Sequence, residues 1–378
     1  MYHVKTMNKI SKIGLAELDD RFAISDTMEH EDAILVRSAK LHDYDFPAEL
    51  KCIARAGAGV NNIPLDRAAD AGIVVFNAPG ANANGVKELT IAALLLASRK
   101  ISQGITWVKE QSAAGADVAA VVEKGKSAYV GPEIQGKTLG VVGLGAIGVL
   151  VANAAAALGM KIVGYDPFLS VTHALNLAPG VEVVDTLPEL YAKADYITLH
   201  LPMNDATRGT INEAAFAAMK DGVRIVNLAR GELVDTPALK AALDSGKCAA
   251  YVTDFPNSET AAIEGVVAIP HLGASTPESE DNCAMMAARE VKEYLDNGSI
   301  INSVNLPNLT MAWAAKTRVC VISKGADAAA IAGAVPAVAS ASNTRGEYAY
   351  TILDTDAAVD EAAIAAIPGV LRVRVLTR

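Results

Sequence analysis

The chain is poor in aromatic side chains, 5% of its 378 residues, and in cysteine, of which it has four. Cys52, Cys248, Cys283 and Cys320 include no short-spaced pair. That excludes a zinc knuckle and a disulfide framework and fits a reducing, cytoplasmic setting. The four read as small buried hydrophobes, and no metal is expected. Positive charge is also in deficit: 33 Lys and Arg face 43 Asp and Glu, a formal net charge of −10. This argues against non-specific contact with nucleic acid or an anionic membrane surface. Long apolar runs are missing as well. Residues 91–97 are too few to cross a bilayer and read as a buried helix. The N-terminus shows no secretory apolar region. A small anionic substrate would have to be met by locally placed cations.

What the chain does have is hydrophobic mass, 51% of its residues, enough for two or three domains. It also has a glycine motif in a telling context. Residues 139–148 read Leu-Gly-Val-Val-Gly-Leu-Gly-Ala-Ile-Gly, an apolar run that ends in glycines and opens an alanine-rich helical pattern. Gly143 permits a tight turn, Gly145 lets the backbone approach a pyrophosphate, and Gly148 lets helix pack on strand. The following helix offers unpaired amides to that anion. A second apolar run ends at Asp166, 18 residues after Gly148, the spacing of a carboxylate that binds an adenosine ribose. An acid there repels a 2′-phosphate, so the cofactor expected is NAD and not NADP.

Residues 33–36, 52–54 and 73–76 read as buried parallel strands separated by turns and helices. From Leu139 a second series follows through 181–184, 196–199, 223–228, 251–253 and 266–269, the rhythm of a doubly wound sheet. Ser275-Thr276-Pro277-Glu278 is a capping-box start for a helix that runs to Asn297-Gly298. From about Met311 the order becomes strand (318–322), helix, strand (337–342), strand (348–353), helix (357–367), strand (370–376). The fold expected is α/β, two Rossmann-like lobes on doubly wound parallel sheets, with a small C-terminal ferredoxin-like α+β domain.

A nicotinamide dehydrogenase needs an acid–base group and a group that fixes the carbonyl. Arg230 follows residues 226–228 and His271 follows 267–270, both at carboxyl ends of strands, where ligands bind in this architecture. Arg230 can fork onto a carboxylate or the reacting oxygen. His271 can take the hydroxyl proton. Glu259 can accept from the other imidazole nitrogen and fix the tautomer. His200 is the competing histidine, read as lining the cofactor site or as structural. After another strand, Arg55-Ala56-Gly57-Ala58-Gly59 can point amides inward as an anion nest. Arg37, also at a strand end, can join Arg55 on a phosphate.

These segments resemble the D-isomer-specific 2-hydroxyacid dehydrogenases. The resemblance is carried by Asn227-Leu228-Ala229-Arg230-Gly231-Glu232-Leu233-Val234-Asp235, then Asp254 with Glu259, then Pro270-His271-Leu272-Gly273-Ala274-Ser275-Thr276. Arg37-Ser38, residues 55–60, Phe76-Asn77-Ala78-Pro79 and Lys87-Glu88-Leu89 are similar to the phosphoglycerate dehydrogenase branch. The resemblance implies NAD-dependent oxidation of 3-phospho-D-glycerate to 3-phosphohydroxypyruvate, the first step of L-serine biosynthesis. The alternative is a reductase of glyoxylate, hydroxypyruvate or another small 2-oxo acid, and further off an NAD-sensing binding protein. It implies a substrate lobe at 1–98 with 282–308, a nucleotide lobe at 99–281, and an ACT-type domain at 315–378. It adds Ala146 and Ile147 at the pyrophosphate, and Pro202, Leu228, Asp254 and Gly273 to the cofactor set. Arg37, Ser38, Arg55 and Ala56–Gly59 become the substrate set, and a homodimer or homotetramer is implied. Two departures stand out. His271 follows Glu259 by only 12 positions, and the loop after the first strand of the tail reads Ser323-Lys324-Gly325-Ala326-Asp327, without the histidine and asparagine usual for serine binding.

Overall fold

Short runs of Val, Ile, Leu and Ala, buried on both faces, make the central strands of two parallel sheets. The computed structural model describes Met1 to Arg378. Strands β1 (Tyr2–Met7), β2 (Phe22–Ser25), β3 (Ala33–Val36), β4 (Cys52–Arg55) and β5 (Val74–Asn77) form one parallel sheet, ordered β2-β1-β3-β4-β5. All four residues of β3 are buried, as expected of a strand covered by helices on both sides. The Pro277–Asn297 helix packs on this sheet through Ala284, Ala287, Ala288 and Val291, which share a core with Leu35, Cys52, Ala54 and Phe76. Its small side chains let it lie close to the strands.

The second sheet contains β6 (Thr138–Val142), β7 (Lys161–Tyr165), β8 (Glu182–Val183), β9 (Tyr196–Leu199), β10 (Val223–Asn227), β11 (Cys248–Thr253) and β12 (Val266–Ala268). Its order is β12-β11-β10-β9-β6-β7-β8, all parallel, with the strand order reversing at the β6/β9 junction. That junction is the topological switch point at which open α/β sheets bind ligands.

The tail forms β13 (Thr317–Lys324), β14 (Ala339–Arg345), β15 (Tyr348–Thr355) and β16 (Val370–Thr377), an antiparallel sheet ordered β14-β15-β13-β16. With the Ala328–Gly333 and Glu361–Ala365 helices this is the expected βαββαβ unit. One face of its sheet holds Val319, Val321 and Leu353 against Ile331 and Ile364 of those helices. The other face puts Cys320, Ile322, Tyr350 and Ile352 into the core built around Tyr294 and Leu295. Polar bonds fix the same contact. Arg374 donates to the carbonyls of Tyr294 (3.0 Å) and Leu295 (2.9 Å), Arg318 to that of Asn297 (2.9 Å), and the Tyr350 hydroxyl to that of Gly298 (2.5 Å). The open carbonyls and negative dipole end of the Pro277–Asn297 helix thereby receive two buried guanidinium groups.

The chain divides into two compact units, Met1–Asn82 with Pro277–Arg378, and Ala83–Thr276. This differs from the boundaries expected at 98/99 and 281/282. The Ala83–Ser98 helix, read with the first lobe, places Ala93, Leu94 and Ala97 in the core of the second sheet beside Leu139 and Val141. The tail, read as a separate domain, shares its core with the first sheet. All four cysteines are free thiols and buried. No helix is long and apolar enough to cross a membrane.

Candidate active site and its cofactor cradle

In the nucleotide unit the glycine turn follows β6 directly. Gly143 has φ +93°, in the left-handed region, and a Cβ there would lie 2.5 Å from the carbonyl oxygen of His200. Both facts demand glycine. A Cβ on Gly148 would overlap the carbonyl of Gly143, so helix and turn meet only because residue 148 has no side chain. Above Gly145 the space is open, with no atom within 4 Å of a Cβ built there. The Ala146–Ala157 helix begins at that point without a side-chain cap, leaving the amides of Ala146 and Ile147 for a ligand. Asp166, at the end of β7, accepts from the amides of Leu144 (2.9 Å) and Phe168 (2.8 Å). Each of its oxygens keeps lone-pair capacity for a hydroxyl.

Asp254, after β11, is 1% exposed. Its Oδ2 accepts from the Gly273 amide at 3.0 Å, while its Oδ1 is buried without a partner. Burial pushes its pKa above the ordinary carboxylate value, with the Gly273 amide pulling the other way. A buried oxygen left without a donor costs free energy, so it marks a place where a ligand amide fits. An open pyrophosphate cradle, an acid at the ribose position and this orphaned acceptor all fit NAD. Leu228 is buried at the end of β10, and Pro202 is exposed beyond β9 with its carbonyl held by Thr207.

Asn227 organises the loop that presents Arg230. Its Nδ2 donates to the Arg230 carbonyl (2.8 Å) and to the Tyr251 hydroxyl (3.1 Å), and its Oδ1 accepts from Ala229 (3.1 Å). Arg230 is half-buried and in no ion pair; its Nη1 donates to the carbonyl of Ala229 at 2.6 Å. Its guanidinium lies 5.2 Å from the centre of the Phe255 ring, and that ring lies 4.3 Å from the imidazole of exposed His271. Phe255 thus gathers the arginine and the histidine about one aromatic surface. Glu259 is not brought to them. It is exposed and forms no hydrogen bond or ion pair with His271. The turn it occupies is fixed by reciprocal bonds between Asn257 and Thr260, at 2.9 and 2.8 Å, and this directs residue 259 to solvent. His200 is half-buried, bonded to Thr198 at 3.0 Å, and burial lowers its pKa to about 4. It is a neutral imidazole at physiological pH.

In the first unit, Val36 and Arg55 are register partners, so Arg37 and Arg55 leave adjacent strand ends. Arg55 Nε donates to the Arg37 carbonyl at 3.0 Å, and its guanidinium occupies the space a Cβ on residue 57 would fill. Arg37 pairs with Glu280 at 2.7 Å. The expected nest is narrower than four amides. Ala56 donates to the Val36 carbonyl and Gly57 to the Arg55 carbonyl, both at 2.8 Å, so Ala58 and Gly59 carry the amides left for a ligand. The Ser38 amide is also engaged, by Asn8 Oδ1 at 3.0 Å. Asn77, of the Phe76–Pro79 motif, holds the Ala58 carbonyl at 2.6 Å, and Asn8, with φ +73°, is a support that no sequence motif announced. No group of three or more His, Cys, Asp or Glu is arranged to hold a metal.

Residues 91–273 match the family model for the NAD-binding domain of D-isomer-specific 2-hydroxyacid dehydrogenases. The nucleotide unit therefore belongs to that family. More particularly, the chain is 36% identical over 315 residues to a D-3-phosphoglycerate dehydrogenase of Methanocaldococcus jannaschii, covering 81% of this chain and 58% of that protein. The chain spans between about half and three-fifths of the length of the curated relatives it matches, 52% to 60% for three of them. Among solved structures, a glyoxylate reductase of Paecilomyes thermophila aligns with a TM-score of 0.66 at 28% identity, covering 80% of this chain and 98% of that one. The NAD+-bound 3-phosphoglycerate dehydrogenase of Entamoeba histolytica aligns with a TM-score of 0.61 at 25% identity, covering 82% and 99%.

Proposed function

We propose that the protein is an NAD-dependent oxidoreductase that converts 3-phospho-D-glycerate to 3-phosphohydroxypyruvate, the first step of L-serine biosynthesis. The observation that carries this reading is the pair of arginines, Arg37 and Arg55, at adjacent strand ends beside the Ala58–Gly59 amides. That is one more set of anion donors than a small unphosphorylated 2-hydroxy acid needs. The curated phosphoglycerate dehydrogenases at 35–40% identity support the same substrate. Bound NAD+ would supply the hydride acceptor for oxidation at C2 of the substrate. His271 takes the hydroxyl proton and returns it in the reverse direction, while Arg230 holds the reacting oxygen or the carboxylate. Phe255 keeps those two groups together. Glu259 faces solvent on its pinned turn, so in this reading it would join the histidine only through a rearrangement of residues 257–260. Ala146 and Ile147 receive the pyrophosphate, Asp166 the ribose and Asp254 the nicotinamide amide.

The C-terminal unit is of ACT type in this reading, supported by its strand order, and serves structure more than serine sensing. Its Ser323–Asp327 loop is tied to its own chain: Lys324 pairs with Asp70 at 2.7 Å, and its amide donates to Gly369. Oligomers would form through the nucleotide unit. The Ile101–Ala113 helix buries none of its side chains and exposes Ile101, Ile105 and Val108 along one stripe. Four buried free thiols support a cytoplasmic setting. The test of substrate is Arg37→Ala, which raises KM for 3-phosphoglycerate far more than for an unphosphorylated 2-hydroxy acid. Equal effects on both would remove Arg37 from the phosphate.

A further inference from the structure

We infer that Glu280 is a built-in competitor for the anionic end of the substrate, occupying the Arg37 guanidinium until a ligand anion displaces it. The inference rests on the reading of Arg37 as a phosphate-binding residue. Glu280 stands in the first turn of the Pro277–Asn297 helix, and its Oε1 lies 2.7 Å from Arg37 Nη2. A carboxylate there presents the same charge and acceptor geometry to the fork as a bound carboxylate or phosphate would. The Nη2 donor engaged by Glu280 cannot serve a ligand anion at full strength at the same time.

Three observations make this a side-chain gate on a fixed frame. The backbone under Arg37 is pinned, its carbonyl by Arg55 and the next two amides by Asn8. The helix that carries Glu280 is held at its far end by Arg374 and Arg318. The two gating side chains are each 44% exposed, so water can take over Glu280 when it swings away. The helix dipole favours an acid at this end whether or not Arg37 is present, so losing the pair does not unfold the turn. Exposed pairs of this kind shift an equilibrium by at most about fivefold. The contact is strong enough to raise the apparent KM and too weak to close the site.

Glu280→Gln keeps the shape and removes the charge. Steady-state constants for 3-phosphoglycerate, and calorimetric Kd values for inorganic phosphate, are measured in the wild type, Glu280→Gln, Arg37→Ala and the double variant. Removing the charge lowers KM and the phosphate Kd by about two- to fivefold. It leaves kcat and the KM of an unphosphorylated 2-hydroxy acid unchanged, and does nothing further once Arg37 is gone. The inference is overturned by an unchanged or raised phosphate Kd in Glu280→Gln, by the same fall without Arg37, or by no phosphate binding in any variant. If the wild type does not oxidise 3-phosphoglycerate, the proposed reaction fails while the phosphate titration still decides the role of Glu280.

Discussion

Asp354→Ala should be among the most damaging single substitutions outside the candidate active site. Asp354 and Arg318 are both fully buried, and the carboxylate accepts from Arg318 Nε at 2.7 Å and Nη2 at 2.9 Å. Asp354 Oδ2 also accepts from the Ala314 amide at 2.7 Å. Truncation leaves a guanidinium with only the Asn297 carbonyl and the Trp313 ring as partners, and an amide with none. Removing one member of a buried pair costs about 3–5 kcal/mol. In a folding unit of roughly 150–250 residues that is a fall in Tm of about 6–20 °C. The two tryptophans are Trp107 and Trp313, so Trp107→Phe leaves Trp313, 4.4 Å from the Arg318 guanidinium, as a fluorescent reporter of this region. Thermal and urea unfolding followed by that signal give the loss directly. Arg318→Met with Asp354→Leu should recover most of it, because replacing both charges removes the desolvation penalty. A loss below about 1 kcal/mol for Asp354→Ala, the size of an exposed ion pair, would refute the reasoning.

His271→Ala should lower turnover by about 10²–10⁴-fold while leaving NADH affinity intact, and near-normal turnover would remove His271 from proton transfer. Asp166→Ser should weaken NAD and narrow its advantage over NADP, measured as the ratio of the two kcat/KM values; a wild-type preference for NADP would contradict the role given to this acid. Glu290 gives a pH-dependent stability. It is 6% exposed, its Oε2 has no partner, and burial raises its pKa to about 8. Because the folded-state pKa lies above the unfolded one, the folded protein prefers the neutral acid. The stability this contributes is full below the unfolded value near 4.5 and is lost as pH rises towards about 8. Glu290→Gln should flatten the fall in Tm over that window, and an unchanged slope would contradict the assignment.

Elements made of continuous apolar runs were legible in the sequence, because a strand covered on both faces has no polar alternation to confuse it. Residues 33–36, 52–54 and 196–199 are such cases. β1 and β2 carry no such signal, because β1 buries only Val4 among its six residues and β2 only Phe22 among its four. Helix periodicity in Ala83–Ser98 says that this helix packs, not on which sheet, so it does not by itself locate a boundary between the units. The glycine turn and Asp166 were legible through backbone conformation and spacing, which sequence does encode. Phe255 and Asn8 were not, since each acts through a contact with residues distant in number or through a side-chain-to-backbone bond. The spent amides of Ala56 and Gly57 and the outward turn of Glu259 depend on local hydrogen bonds that a motif does not specify.

The most direct test of the central claim is NADH formation by the wild-type chain with 3-phospho-D-glycerate and with D-glycerate under matched conditions. Discrimination by one additional charge-assisted hydrogen bond predicts a kcat/KM at least about tenfold higher for the phosphorylated substrate. Equal or better turnover of the unphosphorylated acid, or turnover of glyoxylate with none of 3-phosphohydroxypyruvate in the reverse direction, would contradict the account.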